Sequence, residues 1–238
     1  MTLTFKEKYI KNTKLYSLYR HFRYPSYIKS YSFWAEDVFV DKCLHKIQKG
    51  TYVDVGCNHP IHGSISYRLQ QRGWSGVNID FSNKNIELCK MFRPKDISFC
   101  CPVSDRESEV ECYVFDEGNV LNTLDKESAD HWAKKMNKPY QVQKMKTRTL
   151  TSLLEESRTT RIDFLNIDVE GLEDMVLKGF DIQKYKPRLI ACEIHFEAVD
   201  DLKNSITFNT IKDNGYELIS KIGPTCMFRK VGDTEIFY

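Results

Sequence analysis

The stretch that most restricts what this chain can fold into is TYVDVGCNHPIHGSISYRLQQRGWSGVNIDFS, residues 51–82. Tyr52 to Val55 reads as a buried strand and Gly56 opens a tight loop; about Ser64 to Arg72 reads as a helix and Val77 to Ile79 as a second buried strand. A strand, loop, helix and strand within about thirty residues is the βαβ half of a doubly wound sheet, which binds ligands outside the carboxyl ends of its strands. Asp54 lies within the first strand and Asp80 closes the second. A carboxylate closing the second strand is placed to accept hydrogen bonds from two ribose hydroxyls, which points to a nucleoside-containing cofactor. A dinucleotide fold would need Gly-x-Gly-x-x-Gly so that its backbone and helix dipole meet a pyrophosphate. Here Gly56 is followed by Cys57, Asn58, His59 and Pro60. Such a loop fits a positively charged ligand without phosphates, and S-adenosylmethionine (SAM) is one.

Val53, Asp54, Val55, Gly56 and Asn58 match the VDVGANxG segment of the FkbM family of SAM-dependent methyltransferases, with Cys57 in place of the alanine and Pro60 in place of the last glycine. A second segment, RIDFLNIDVEGLEDMVLKGF at 161–180, resembles that family's D-F-L-x-I-D-V-E-G almost residue for residue. The resemblance covers about residues 32–230. It implies an α/β fold: a doubly wound, mostly parallel, seven-stranded sheet closed by a C-terminal antiparallel hairpin. It also implies O-methylation, often of a sugar hydroxyl in a surface glycan, a nucleotide sugar or a glycosylated metabolite. By resemblance the cofactor contacts are Asp54, Gly56, Cys57, Asn58, Ser64, Asp80, Phe81 and Asp168, with Pro102, Val103 and Ser104 on the adenine side. Ser32, Glu36 and Asp37 resemble the serine and Glu-Asp pair that precede the family's core, which would put Glu36 beside the cofactor. Ordinary first-turn acidity at a helix N-terminus explains the same pair.

The second segment reads as a strand, Ile162 to Val169, then a helix from Gly171 that Gly179 terminates. Asp168 and Glu170 are two residues apart and so share one side of an extended chain. In RLIACEIHF, 188–196, Glu193 and His195 have the same spacing at the end of another strand. If the two strands are parallel neighbours, four polar groups converge at one rim. His195 or Asp168 is then the expected general base for a hydroxyl acceptor. The alternative is a divalent cation, Mg²⁺ or Mn²⁺, on Asp168 and Glu193. His59 and His62 have a three-residue spacing but no clear third ligand.

Beyond these segments the alternation of strand and helix continues. Asn83 to Phe92 reads as a helix capped by Ser82 and stopped by Pro94, and Ile97 to Val103 as a strand. Val110–Phe115 and Tyr140–Lys146 alternate with period two around a polar helical stretch, Asp125 to Asn137. This insertion, about 110–147, is the candidate substrate cover. A helix near Ser205 to Asp213 precedes strands Tyr216–Lys221 and Cys226–Lys230, which flank a Gly223-Pro224 turn. Ala35 to Ile47 reads as a helix leading into the core.

The first thirty-five residues form a basic aromatic extension. They carry seven lysines and arginines against Glu7 alone, with Leu15, Leu18 and Phe22 at helical spacing. Packing on the domain or on a second subunit is one reading, and peripheral contact of residues 1–30 with an anionic membrane or a glycan is the other. Residues 36–238 are read as one methyltransferase domain. No apolar run reaches the eighteen or so residues that span a bilayer, and the polar N-terminus lacks the apolar core of a signal peptide. Eight cysteines without a Cys-x-x-Cys pair read as reduced thiols of a cytoplasmic protein, and a net charge of +2 disfavours a nucleic-acid partner. Two rivals stay open: a nicotinamide-dependent Rossmann oxidoreductase, whose sheet would stay parallel, and a non-catalytic module binding SAM or a glycan.

Overall fold

The computed structural model describes residues 28–119, 121–195 and 199–236, with Thr13 and Tyr16. The chain divides into two compact units, 1–30 and 31–238. In the second unit, apolar strands assemble into one seven-stranded sheet: β1 (Thr51–Val55), β2 (Ser75–Asp80), β3 (Ile97–Cys100), β6 (Phe164–Ile167), β7 (Leu189–Glu193), β8 (Tyr216–Ile222) and β9 (Thr225–Lys230), in the order β3-β2-β1-β6-β7-β9-β8. The first five strands of that order are parallel, and β9 inserts antiparallel between β7 and β8. This is the C-terminal arrangement expected from the FkbM resemblance; the wholly parallel sheet of a nicotinamide enzyme does not form. Strands β4 (Glu109–Val114) and β5 (Gln141–Lys146) make a separate antiparallel ribbon, with α4 (Lys126–Met136) between them.

Successive side chains of a strand face opposite sides, so both faces of a helix-covered sheet must be apolar. Val53, Val55, Val77, Ile79, Leu165 and Ile167 fill one core, and Tyr52, Phe164, Leu189, Ala191 and Met227 the other. Around the sheet lie α1 (Glu36–Cys43), α2 (Tyr67–Gln71), α3 (Asn83–Phe92), α5 (Leu150–Glu156), α6 (Glu173–Lys178), α7 (Ile182–Tyr185) and α8 (Ile206–Asp213). Local chemistry sets several of their limits. Ser82 Oγ accepts from Asn85 N at the start of α3, and Asp125 and Ser205 cap α4 and α8 in the same way.

Several boundaries differ from the sequence reading. The third strand ends at Cys100, short of Val103, because Pro102 has no N–H to donate, and Val103 makes only a single bridge to Arg148. The second helix starts at Tyr67 rather than Ser64, and α1 ends at Cys43 rather than Ile47. The seven-residue α5, capped by Thr149, was not read from sequence; it buries Leu150, Leu153 and Leu154. Leu15, Leu18 and Phe22, the face of the expected N-terminal helix, lie outside the described residues. Among the described residues no helix is long and apolar enough to cross a membrane. All eight cysteines are free thiols.

Candidate active site

The site rests on a polar seam running across the sheet. Asp54 on β1 is paired in register with Asn78 on β2 and Asn166 on β6, and all three are buried. Asn166 Nδ2 donates to Asp54 Oδ1 at 2.9 Å, and the Ser66 hydroxyl donates to Oδ2. Ser66 Oγ in turn accepts from Arg93 Nη1 at 2.8 Å, which also donates to Asn78 Oδ1 at 3.0 Å. Arg93 is 1% exposed. Its remaining N–H groups go to the Pro60 carbonyl and, at 2.7 Å, to Ser64 Oγ. A buried charge is tolerable only when it is paired and its hydrogen bonds are complete, and here Ser66 bridges Arg93 to Asp54. Asp54 and Ser64 both border the cavity above, yet their hydrogen bonds hold the 56–66 loop to the sheet. The sequence reading missed Arg93, which there is only a charged residue between a helix end and Pro94.

Above the seam, Gly56 and Cys57 donate their backbone N–H groups to the Ile79 carbonyl at 2.9 and 3.1 Å. Gly56 has φ +77°, and a Cβ there would lie 1.7 Å from the Asp168 carbonyl oxygen. The loop turns again at Asn58, φ +47°, whose N–H donates to Asp80 Oδ2 at 2.9 Å. Ser82 N donates to Oδ1 at 2.7 Å and the Asn85 amide to Oδ2 at 3.4 Å. Burial raises the Asp80 pKa, and these donors oppose the rise. A carboxylate offers about four acceptor positions, so Asp80 is held in place with capacity left for a hydroxyl. Buried Cys57 packs 3.8 Å from Cys89, sulfur to sulfur. His59 Nδ1 accepts from Ile61 N and His62 N, both at 3.1 Å, which commits that nitrogen to the loop's own turn.

A cleft open to solvent lies over the carboxyl ends of the strands. On the β2 and β3 side of β1 it is lined by Asp80, Phe81, Pro102 and Val103; on the β6 and β9 side by Asp168, Glu170 and Thr225. Ser32, Phe33, Glu36, Asn58 and Ser64 also line it. Ser104 does not: its N–H donates to the Arg148 carbonyl at 2.9 Å, and its own carbonyl packs against Gly179, where a Cβ would lie 2.3 Å away. Asn119, Asn122 and Leu124 bring the insertion to the cleft, and no sequence signal singled them out.

The acids at the ends of β6 and β7 do come together. Asp168 and Glu193 share a hydrogen bond, and Glu193 Oε1 lies 3.5 Å from His195 Nε2. The chain is not extended past Asp168 as the sequence spacing implied; Glu170 has φ +57°, which turns its carboxyl back over the cleft. Glu173, the first residue of α6, accepts from Val169 N at 3.2 Å and Gly171 N at 3.1 Å and so holds the turn that leads into the helix. His195 lies beyond β7 and, with Glu193, outside the cleft lining.

Their environments push these groups apart in proton affinity. Burial and the adjacent Glu193 hold Asp168 well above the usual carboxylate range. Glu193 Oε2 is buried and receives no N–H or O–H among the described residues. Burial pushes Glu193 up, but hydrogen bonds from His195 and Asp168 outweigh burial and leave its pKa lowered. His195 is raised by its hydrogen bond to Glu193. Glu170 is pushed up to about 7 by burial and by Glu193, with His195 opposing. These shifts favour the acid form of Asp168, the anion of Glu193 and the cation of His195, while Glu170 titrates at about 7. Among the described residues, one ligand atom each of Glu170, Glu193 and His195 lies within 4.8 Å of the others, close enough to share a cation.

Residues 54–218, more than half of the chain, match the model of the methyltransferase FkbM domain. The chain belongs to the FkbM methyltransferase family. Among solved structures it is similar to a TehB-like SAM-dependent methyltransferase from Corynebacterium glutamicum, with 11% identity over 90% of this chain and 95% of that one and a TM-score of 0.43. It is also similar to a precorrin-6y C5,15-methyltransferase from Geobacter metallireducens, with 8% identity over 82% and 84% of the two chains and a TM-score of 0.39. No curated protein matches. As an FkbM enzyme it takes its methyl group from SAM, and the cleft suits that molecule. A single tight glycine stands where a pyrophosphate cradle would need three, an anchored carboxylate closes β2, and Asp168 and Glu170 give one side of the cleft an acidic lining that suits a cationic ligand.

Proposed function

We propose that this FkbM enzyme methylates a hydroxyl oxygen, and that the acceptor is a sugar in a glycan, a nucleotide sugar or a glycosylated metabolite. The observation that carries the oxygen chemistry is Glu170, a cleft-lining carboxyl with its pKa at about 7, grouped with Glu193 and His195. When bound, SAM supplies a methyl group whose carbon–sulfur electron pair stays on sulfur as the acceptor oxygen bonds to carbon. Glu170 accepts the hydroxyl proton. His195 and Asp168 hold Glu193 toward its anion, and His195 opposes the rise that Glu193 imposes on Glu170. Asp80 would accept from the ribose, Glu36 and the 56–58 loop would flank the cofactor, and Pro102 and Val103 would border the adenine. The family's habit of methylating sugars supports the acceptor class. The test is mass spectrometry of nucleotide sugars and glycans after incubation with SAM. A gain of one methyl supports the reading, whereas SAM binding without any S-adenosylhomocysteine formed would favour the silent module.

Asp80→Ala should weaken SAM binding by about 1.5–3 kcal/mol, about 10- to 150-fold, the range for a hydrogen bond to a charged group. Calorimetry on the folded variant checks this, and unchanged affinity would remove Asp80 from the ribose. The grouping of Glu170, Glu193 and His195 favours a second reading in which a divalent cation acidifies the hydroxyl. In that case EDTA abolishes turnover and Mg²⁺ or Mn²⁺ restores it; with Glu170 as base, EDTA has no effect.

A further inference from the structure

Two aromatic rings beside the cleft are turned to solvent: Phe33 is 77% and Trp34 61% exposed. Their loop is firmly held. Tyr31 N and Ser32 Oγ donate to the Asp37 carboxylate at 3.1 and 2.9 Å, Arg68 Nε donates to it at 3.1 Å, and Trp34 N donates to Glu36 Oε2 at 2.9 Å. Ala35, between the rings and α1, is in the left-handed region at φ +66°, a conformation that costs a non-glycine residue free energy and that only a fixed loop maintains. Under each ring lies a glycine. A Cβ at Gly63 would come within 2.8 Å of the Phe33 ring, and one at Gly223 within 2.7 Å of the Trp34 ring.

The rings also have a definite address. Phe33 lines the cleft. Trp34 sits on the β8–β9 turn, where the Pro224 carbonyl accepts from Ile194 N at 3.1 Å and Thr225 pairs with Glu193. The platform thus adjoins the acid and histidine cluster, across β1 from Asp80. The Trp34 indole N–H makes no hydrogen bond among the described residues. Rigid aromatic faces, an available N–H and neighbouring carboxylates are together what a pyranose recognises: its C–H face stacks on the rings while its hydroxyls take the polar groups.

We propose that Phe33 and Trp34 are the stacking platform that seats the sugar ring of the acceptor with one hydroxyl toward Glu170. This rests on the reading of the enzyme as a sugar O-methyltransferase, and the two are separable. The probe is a set of methyl glycosides of common hexoses and deoxyhexoses, with binding read by saturation-transfer NMR and tryptophan fluorescence in the full chain. Wild type should bind at least one of them. Phe33→Ala and Trp34→Ala should each weaken that binding about tenfold or more, Trp34→Phe should retain it within about threefold, and S-adenosylhomocysteine affinity should stay within about twofold throughout. Glycoside binding that the ring variants abolish, with no methyl gained on any sugar, keeps the platform and removes the O-methylation reading. Sugar methylation with KM for the acceptor unchanged in Phe33→Ala and Trp34→Ala keeps that reading and overturns the platform. Failure of every glycoside to bind wild type overturns it too. So does binding that appears only after deletion of residues 1–27, because the rings would then belong to that segment.

Discussion

Replacing Gly56 with alanine should destabilise the enzyme by about 2–5 kcal/mol and remove SAM binding from whatever fraction remains folded. Left-handed backbone costs a non-glycine residue about 1–2 kcal/mol, and Gly56 has φ +77°. The added methyl would also lie 1.7 Å from the Asp168 carbonyl oxygen, a backbone atom that cannot swing aside. Forced overpacking of this kind costs about 1–3 kcal/mol more. Relief comes only by moving the loop from β6, which pulls the Gly56 and Cys57 N–H groups from Ile79 and the Asn58 N–H from Asp80. Gly73 provides the control, since φ is +86° there but no atom lies within 4 Å of where an added methyl would sit. Gly73→Ala should therefore lose only the left-handed cost. Urea midpoints of the two variants, with calorimetric titration of SAM, make the comparison. A Gly56→Ala protein with wild-type midpoint and affinity would show that the close approach to Asp168 does not shape the site.

That close approach illustrates what sequence can and cannot reveal. The glycine was legible, as were Asp80 and the apolar strands, because strand periodicity and a βαβ spacing of about thirty residues are local signals. The limits of α3 were legible as well, since Ser82 and Pro94 act through the adjacent backbone. What Gly56 avoids was not legible: Asp168 is more than a hundred residues away and meets it only because β6 pairs with β1. Arg93 was missed for the same reason, as its partners Pro60, Ser64, Ser66 and Asn78 come from other elements. Asp54 was legible because it sits in the motif, but the donors that fix it, Asn166 and Ser66, come from other elements and were not. Two-residue spacing brought Glu170 to notice but placed it on an extended strand. The Glu-Gly pair that follows Val169 instead makes a left-handed turn, and that turn puts Glu170 in the cleft in preference to His195.

Glu170→Gln should lower turnover by about 10²- to 10⁴-fold, the usual contribution of a general base, while leaving SAM affinity within a few-fold. Wild-type activity should rise with pH through about 7, since the carboxyl accepts a proton only once it has lost its own, and the variant should lack that rise. His195 as base makes a different profile. Its pKa is raised by Glu193, so the rise would come above the usual histidine range and His195→Ala, not Glu170→Gln, would remove it. The same Glu170→Gln substitution should stabilise the fold at high pH. Glu170 has a folded pKa of about 7 against an ordinary 4.5, so the folded chain holds the proton more tightly than the unfolded one. Its contribution to stability is fully present below about 4.5, falls as pH rises to about 7 and stays lost above that. Glutamine has no such dependence. The variant should therefore melt above wild type in alkaline buffer, with the gap shrinking as pH falls toward about 5. A variant that turns over normally would mean that Glu170 is not the base, and one that melts below wild type at high pH would mean that its carboxyl is not held above the ordinary range in the folded chain.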